Sequence, residues 1–142
     1  MLSIVVAKSK NNIIGKERIP QGGRMNIQIF GDKKSSDTRK AERWFKERRI
    51  RFQQIDLREK PMSRGELRSV IQAASGLENL LDENCRDQDA LAFVRCIAPA
   101  QREDALLERP QVLRLPIVRN GRRAAVGYCP EVYAAWQAEE KG

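Results

Sequence analysis

The residues best placed to do chemistry lie in one run, Gly31 to Ala41, which reads GDKKSSDTRKA. This run joins a short apolar strand, predicted over residues 27–30, to a basic amphipathic helix. The unpaired N–H groups of a first helical turn and the positive end of the helix dipole favour an anion or a thiolate. Ser35 stands at the centre of the run, where such a site would hold its reactive group.

The rest of the chain limits the possible chemistry. It contains no histidine, which excludes mechanisms built on an imidazole base or ligand. Its three cysteines form no CxxC pair, so neither a disulfide scaffold nor a metal site is predicted. Cys129 precedes a predicted helix start, where the dipole would lower its pKa, and it is the alternative candidate thiol. Cys85 and Cys96 are expected to have packing roles.

Length and composition favour one domain of an ordinary cytoplasmic protein. The chain has 142 residues, 41% of them hydrophobic and 32% charged, and no apolar run is long enough for a membrane span. Its formal net charge is +8, but residues 1–24 hold five basic residues and one acidic residue and so carry half of that excess. The charge therefore gives no strong indication of nucleic-acid binding.

The first half of the chain predicts a parallel strand pair. After the strand at 27–30, a helix over residues 36–49 places Trp44 and Phe45 on its apolar face, and a second strand spans 51–57. Ser63 and Glu66 form a capping-box pattern that opens a helix. Helical patterns continue from there, so a helical insertion is predicted over about 63–109.

The last third predicts an antiparallel hairpin and a closing helix. A strand is predicted over residues 112–118, followed by Asn120-Gly121 as a type I′ turn and by a strand over 123–126. Pro130 opens a final helix that runs through Trp136. The order of elements is thus βαβ, helices, then ββα, which indicates an α/β fold.

Several separated motifs carry a resemblance to a known family. They are the GDKKSSDTRKA loop and helix, Ile55-Asp56-Leu57, Ser63 with Glu66-Leu67, Pro116-Ile117-Val118, and Val126-Gly127-Tyr128. In this order and spacing they resemble the arsenate-reductase (ArsC) and Spx family. The resemblance covers residues 25–136 and implies a thioredoxin-like fold with a mixed four-stranded sheet.

The resemblance also implies thiol-dependent oxidoreductase chemistry, with glutathione or thioredoxin as the reductant and no bound cofactor. The family nucleophile is a cysteine that falls on Ser35, whose hydroxyl ionises too weakly to replace a thiolate. Arsenate reductases of the family have an arginine before the strand proline, and Leu115 occupies that position. Arg114 lies one residue earlier and is expected to point away. We therefore expect no arsenate reductase activity.

The alternative implied by the resemblance is a non-catalytic regulator of the Spx type that binds a protein, RNA polymerase or a redox protein. The two cysteines of the Spx redox switch fall on Ser35 and Thr38, so that switch is excluded. An oxyanion at the helix start stays possible. The candidate anion- or partner-binding residues are Lys34, Ser36, Thr38, Arg39, Lys40 and Pro116, the last expected to follow a cis peptide bond.

Residues 1–24 have a different character. Residues 1–16 resemble the start of dihydrofolate reductase, with an Ile/Val-rich strand followed by Asn12-Ile13-Ile14-Gly15, and this resemblance stops by Glu17. Turn-forming residues then lead to Met25. The sequence thus predicts an appended leader over 1–24 and a thioredoxin-like domain over 25–142.

Overall fold

The computed structural model describes residues 25–141, a range that excludes the predicted leader and its dihydrofolate-reductase-like motif. The strands are β1 (Ile27–Gly31), β2 (Phe52–Asp56), β3 (Ile117–Asn120) and β4 (Arg123–Val126). The α-helices are α1 (Ser36–Glu47), α2 (Arg64–Ala73), α3 (Gln88–Cys96), α4 (Arg102–Glu108) and α5 (Pro130–Lys141). Short 3₁₀ helices span Leu77–Leu80, Pro99–Gln101 and Pro110–Val112.

The strands form one mixed sheet in the order β2-β1-β3-β4. β1 pairs in parallel with β2, with Gly31 opposite Asp56. β3 pairs antiparallel with both β1 and β4, with Ile117 opposite Phe30 on one side and Val126 on the other. This is the predicted βαβ and ββα arrangement.

Each face of the sheet carries its own core because strand side chains alternate. Ile27 and Ile29 of β1 pack with aromatic residues of α1 and α5, and Phe30 packs with the helices between β2 and β3. The first core is dense in edge-on aromatic contacts, such as that between Trp44 and Tyr133, whose ring centroids lie 5.4 Å apart. The helical insertion therefore covers one face while α1 and α5 cover the other.

The capping box predicted for α2 is present. The Oγ atom of Ser63 accepts a hydrogen bond of 3.1 Å from the Glu66 N–H, and the Glu66 carboxylate accepts one of 2.9 Å from the Ser63 N–H. No helix among residues 25–141 is long and apolar enough to cross a membrane.

Two local predictions in the last third were wrong. Residues 110–112 form a 3₁₀ helix, and the strand begins only at Ile117, after the cis peptide bond between Leu115 and Pro116. In the hairpin, Asn120 pairs with Arg123 inside the ladder, so the turn residues are Gly121 and Arg122. Of these two only Gly121 has a positive φ, of 65°, as in a type II′ turn.

Candidate functional site

Four strand ends meet at one edge of the sheet, here named the site edge. Ile117, the first residue of β3, pairs with Phe30, the residue before the end of β1, and with Val126, the last residue of β4. The Leu57 N–H donates to the Gly31 carbonyl at 2.9 Å, and the Gly127 N–H donates to the Pro116 carbonyl at 2.8 Å. The segments following β1, preceding β3 and following β4 are therefore neighbours.

The loop after β1 is held by hydrogen bonds of Asp32. Its carbonyl accepts from the Ser35 N–H at 2.9 Å, and its Oδ1 accepts from the Lys34 N–H at 2.9 Å. Arg58 lies 3.7 Å from the same carboxylate. Asp32 thus orders the loop by an Asx turn, a role that sequence reasoning missed although Asp is an ordinary residue for such turns.

Ser35 lies at the N-cap of α1, directly before the first helical residue. Its Oγ atom accepts a hydrogen bond of 3.1 Å from the Thr38 N–H, and its backbone is extended at φ −80° and ψ 119°. The side chain is partly exposed. The hydroxyl therefore satisfies one of the free donors of the first turn, a structural task that serine performs well.

Four of the predicted anion- or partner-binding residues are exposed around this helix start. We name Lys34, Ser36, Arg39 and Lys40 the loop surface. The Arg39 guanidinium donates to the Lys33 carbonyl at 2.7 Å, and the Lys40 ammonium lies 3.7 Å from Asp37. The structure therefore brings these side chains together at the N-terminal end of α1.

Thr38 differs from the other predicted residues because it is only 2% exposed. Its side chain lies directly beneath Gly31, where an added Cβ atom would come within 2.6 Å of Oγ1. The same Oγ1 accepts a bond of 3.5 Å from the Asp32 N–H. Thr38 supports the loop from below, and burial keeps its hydroxyl away from an external anion.

Pro116 is buried at the site edge and follows the cis peptide bond that the resemblance implies. The expectation for Arg114 was wrong, because this residue precedes β3 and strand alternation does not govern it. Its side chain lies against Gly127, where an added Cβ atom would stand 3.3 Å from Nε. Arg114 therefore adds an exposed cation to the site edge.

Cys129 does not have the environment predicted for it. It lies at the site edge, half-buried, and its Sγ donates to the Val126 carbonyl at 3.3 Å. Burial raises the pKa of the Cys129 thiol, and Glu131 raises it further, while Arg114 only partly opposes them. The thiol is desolvated because the sulfur packs against the aromatic core.

The other cysteines lie in the insertion. Cys85 is buried, as predicted, and burial raises the pKa of its thiol. The packing role expected for Cys96 was wrong, since its side chain is exposed at the end of α3. Within residues 25–141, no group of three or more acidic or cysteine residues could hold a metal ion.

Tyr133 is a further structural residue that sequence reasoning missed. Its hydroxyl donates to the Gly127 carbonyl and accepts from the Cys129 N–H, both at 3.3 Å. The side chain is fully buried, and burial raises the pKa of Tyr133 above its ordinary range. The spacing in the sequence could have indicated this role, because Tyr133 lies four residues after Cys129, about one helical turn away.

The sheet order β2-β1-β3-β4 and the βαβ and ββα order of elements define a thioredoxin-like α/β protein with a helical insertion. The chain belongs to the ArsC family, whose family model matches residues 30–136.

Relatives and solved structures agree with this assignment. The chain is 28% identical to the global transcriptional regulator Spx 2 of Oceanobacillus iheyensis, over 73% of this chain and 78% of that protein. It is also 28% identical to Spx 2 of Lactococcus lactis, over 78% and 85% of the two chains. The arsenate reductase from Vibrio cholerae superposes with a TM-score of 0.66 at 22% identity, covering 76% of this chain and 94% of that one. An arsenate reductase (ArsC) related protein from Brucella melitensis has a TM-score of 0.56 at 20% identity, covering 80% and 95%.

Proposed function

We propose that this ArsC-family chain does not reduce arsenate and instead acts in the cytoplasm as a protein-binding regulator of the Spx type. The loop surface would contact the partner, for which RNA polymerase is the first candidate. The observation that carries this proposal is the hydrogen bond from the Thr38 N–H to Ser35 Oγ. At the position of the family nucleophile, the side chain is a helix cap.

Chemistry at Ser35 lacks a means of activation. A serine nucleophile needs an adjacent general base, and the chain has no histidine. The nearest carboxylates on the loop are already engaged, with Asp32 bound to the Lys34 N–H and Asp37 beside Lys40. The hydroxyl itself accepts a hydrogen bond from the backbone, which does not make it more nucleophilic.

The names of the relatives support a regulatory role. The similar proteins of Oceanobacillus iheyensis and Lactococcus lactis are named global transcriptional regulators. The exposed cations Lys34, Arg39 and Lys40 could contact carboxylates of a partner or bind an oxyanion at the helix start. The partner would thus present an acidic surface to the loop surface.

The second candidate is a thiol-dependent reductase that uses Cys129 with glutathione or thioredoxin as reductant. Its location at the site edge favours this reading, because the N–H of Gly127, two residues before Cys129, donates a hydrogen bond to the Pro116 carbonyl. Burial opposes it, since a thiol with a raised pKa holds little thiolate at neutral pH. The two candidates make opposite predictions for turnover.

Turnover is tested with the wild type, Ser35→Cys and Ser36→Cys, each supplied with arsenate or a disulfide and with glutathione or thioredoxin. We expect no turnover by the wild type. Ser35→Cys should gain activity if the pocket is otherwise intact, and Ser36→Cys places a thiol one residue away as the matched control. Wild-type turnover that alkylation abolishes would contradict the proposal.

Partner binding is tested with purified RNA polymerase and the full chain. The double variant Arg39→Glu with Lys40→Glu reverses two charges of the loop surface and should lose binding. Arg86→Glu reverses an exposed charge in the insertion and serves as the control. Wild-type protein that fails to bind the polymerase would remove this partner from the proposal.

A further inference from the structure

The residue that follows the first helix has an unfavourable backbone conformation. Arg49 has φ +58°, in the left-handed region. Its N–H donates to the Lys46 carbonyl and the Ile50 N–H donates to the Phe45 carbonyl, both at 3.0 Å. This pattern usually has glycine or asparagine at the left-handed position, because a longer side chain is strained there. An arginine is thus present where glycine would be more stable.

Arg49 lines an open cleft of about 310 Å³ together with Met25, Ile50, Arg51 and Glu140. Glu140 is the one acid of these five, and its carboxylate accepts a hydrogen bond of 3.2 Å from the Met25 N–H. Among the residues that the structure describes, neither Arg49 nor Arg51 has a carboxylate within salt-bridge distance. Two arginines in the cleft are therefore available to an external anion.

Further cations lie in the same segment of the chain. Residues 43–51 contain a single acid, Glu47, which lies 3.8 Å from the Arg48 guanidinium. The Arg48 guanidinium also stacks 4.0 Å from the centroid of the Trp44 ring, which fixes its position. We name the five exposed cations of this segment the Arg49 patch: Arg43, Lys46, Arg48, Arg49 and Arg51.

We propose that the Arg49 patch binds the phosphate backbone of duplex nucleic acid, with Arg49 and Arg51 each contacting a phosphate. Clustered arginines suit this ligand, because a guanidinium binds phosphate oxygens through paired hydrogen bonds. The two cleft arginines follow the C-terminal end of α1, whereas Lys34 and Ser36 lie at its N-terminal end, about 18 Å away for a helix of 12 residues. The cleft is therefore separate from the start of α1.

A protein ligand fits this surface less well. The loop surface has the carboxylates of Asp32 and Asp37 among its cations, whereas residues 43–51 contain a single acid, Glu47. A set of clustered cations with few acids is typical of binding to a phosphate backbone.

The strained backbone allows a sharp test, because Ser75 provides a matched control. Ser75 follows α2 with φ +65°, and its N–H donates to the Gln72 carbonyl at 3.2 Å, in the same arrangement as Arg49. Arg49→Gly and Ser75→Gly relieve the same strain on different surfaces. Arg51→Gln removes the second cation of the cleft, and Arg86→Gln removes one exposed charge from the insertion as the charge control.

Binding of a fluorescent 20-base-pair duplex is measured by anisotropy between 50 and 200 mM salt. We expect Arg49→Gly and Arg51→Gln each to weaken binding about five- to tenfold at 100 mM salt and to reduce the slope of log K against log salt by about 0.9. Ser75→Gly and Arg86→Gln should bind like the wild type. Both glycine variants should melt about 2–4 °C higher than the wild type.

A gain in stability coupled to a loss of affinity in Arg49→Gly, and not in Ser75→Gly, supports the proposal. It is overturned if the wild type fails to bind the duplex at 50 mM salt, or if Arg49→Gly binds as tightly as Ser75→Gly. It is also overturned if poly-glutamate displaces the duplex at equal charge concentration, because the patch would then fit an acidic polypeptide equally well.

Discussion

The hydroxyl of Ser35 and the N–H of Thr38 form a hydrogen bond of 3.1 Å that closes the first turn of α1. The resemblance to the Spx family predicts that the two cysteines of its redox switch fall on these two residues. In this chain one is a helix cap and the other is a buried support for the loop. The first turn of α1 is thus closed without a thiol.

Replacing the cap should destabilise the protein. Ser35→Ala leaves the Thr38 N–H without its acceptor, so we expect a loss of about 1 kcal/mol in the free energy of unfolding, with Tm about 2–4 °C lower. Ser36→Ala is the control, because Ser36 is exposed and lies inside the helix. Urea and thermal denaturation measure both variants, and equal stabilities would show that the cap contributes nothing.

A thiol introduced at residue 35 should be unusually acidic. The Cys side chain in Ser35→Cys would lie at the positive end of α1, with Lys34 and Arg39 nearby, and both effects lower a thiol pKa. The rate of iodoacetamide alkylation should therefore reach half its maximum at a lower pH than for a free thiol. Ser36→Cys should react with a higher midpoint, and a reversed order of midpoints would contradict the argument.

The sequence contained enough information for the fold. Local signals fixed the capping box at Ser63 and the apolar face around Trp44, and both are present. The separated motifs placed Pro116 beside the loop, where the paired ends of β1 and β3 bring it. These features depend on residues close in sequence or on spacing that the family resemblance supplies.

The errors arise where burial decides the outcome. The pKa of the Cys129 thiol is raised because the aromatic core desolvates it. The rule that a helix start lowers a thiol pKa takes no account of burial. Arg114 lies outside the strand because a 3₁₀ helix spans Pro110–Val112 and β3 begins only at Ile117. The basic character of the helix was visible in the sequence, but neither net charge nor periodicity reports that Arg49 has a left-handed backbone and lines a cleft.

Burial of Cys129 should make stability depend on pH above neutrality. The pKa of Cys129 in the folded protein is raised above its unfolded value of about 8.5. The contribution of the buried thiol to the free energy of unfolding is therefore complete below that pH and is lost as pH rises through the folded pKa. We expect the urea midpoint of the wild type to fall between pH 7 and pH 10 by more than that of Cys129→Ala. Tyr133 and Cys85 titrate in both proteins, so parallel curves would mean that Cys129 makes no contribution.

Gly31 should be required by the close approach of Thr38. A Cβ atom at residue 31 would lie 2.6 Å from Thr38 Oγ1, and Thr38 is buried and cannot move aside freely. We expect Gly31→Ala to cost about 1–3 kcal/mol of unfolding free energy through overpacking. Gly65→Ala is the control, because nothing lies within 4 Å of its added methyl group in α2, where alanine should stabilise the helix.

A double-mutant cycle separates this steric conflict from other effects of the substitution. Thr38→Ala alone removes the Oγ1 acceptor of the Asp32 N–H and should be destabilising. Combined with Gly31→Ala it also removes the atoms that the new methyl group meets, so the double variant should be more stable than the sum of the single effects predicts. Strict additivity in urea denaturation would show that the loop relaxes around the methyl group at residue 31 without contacting Thr38.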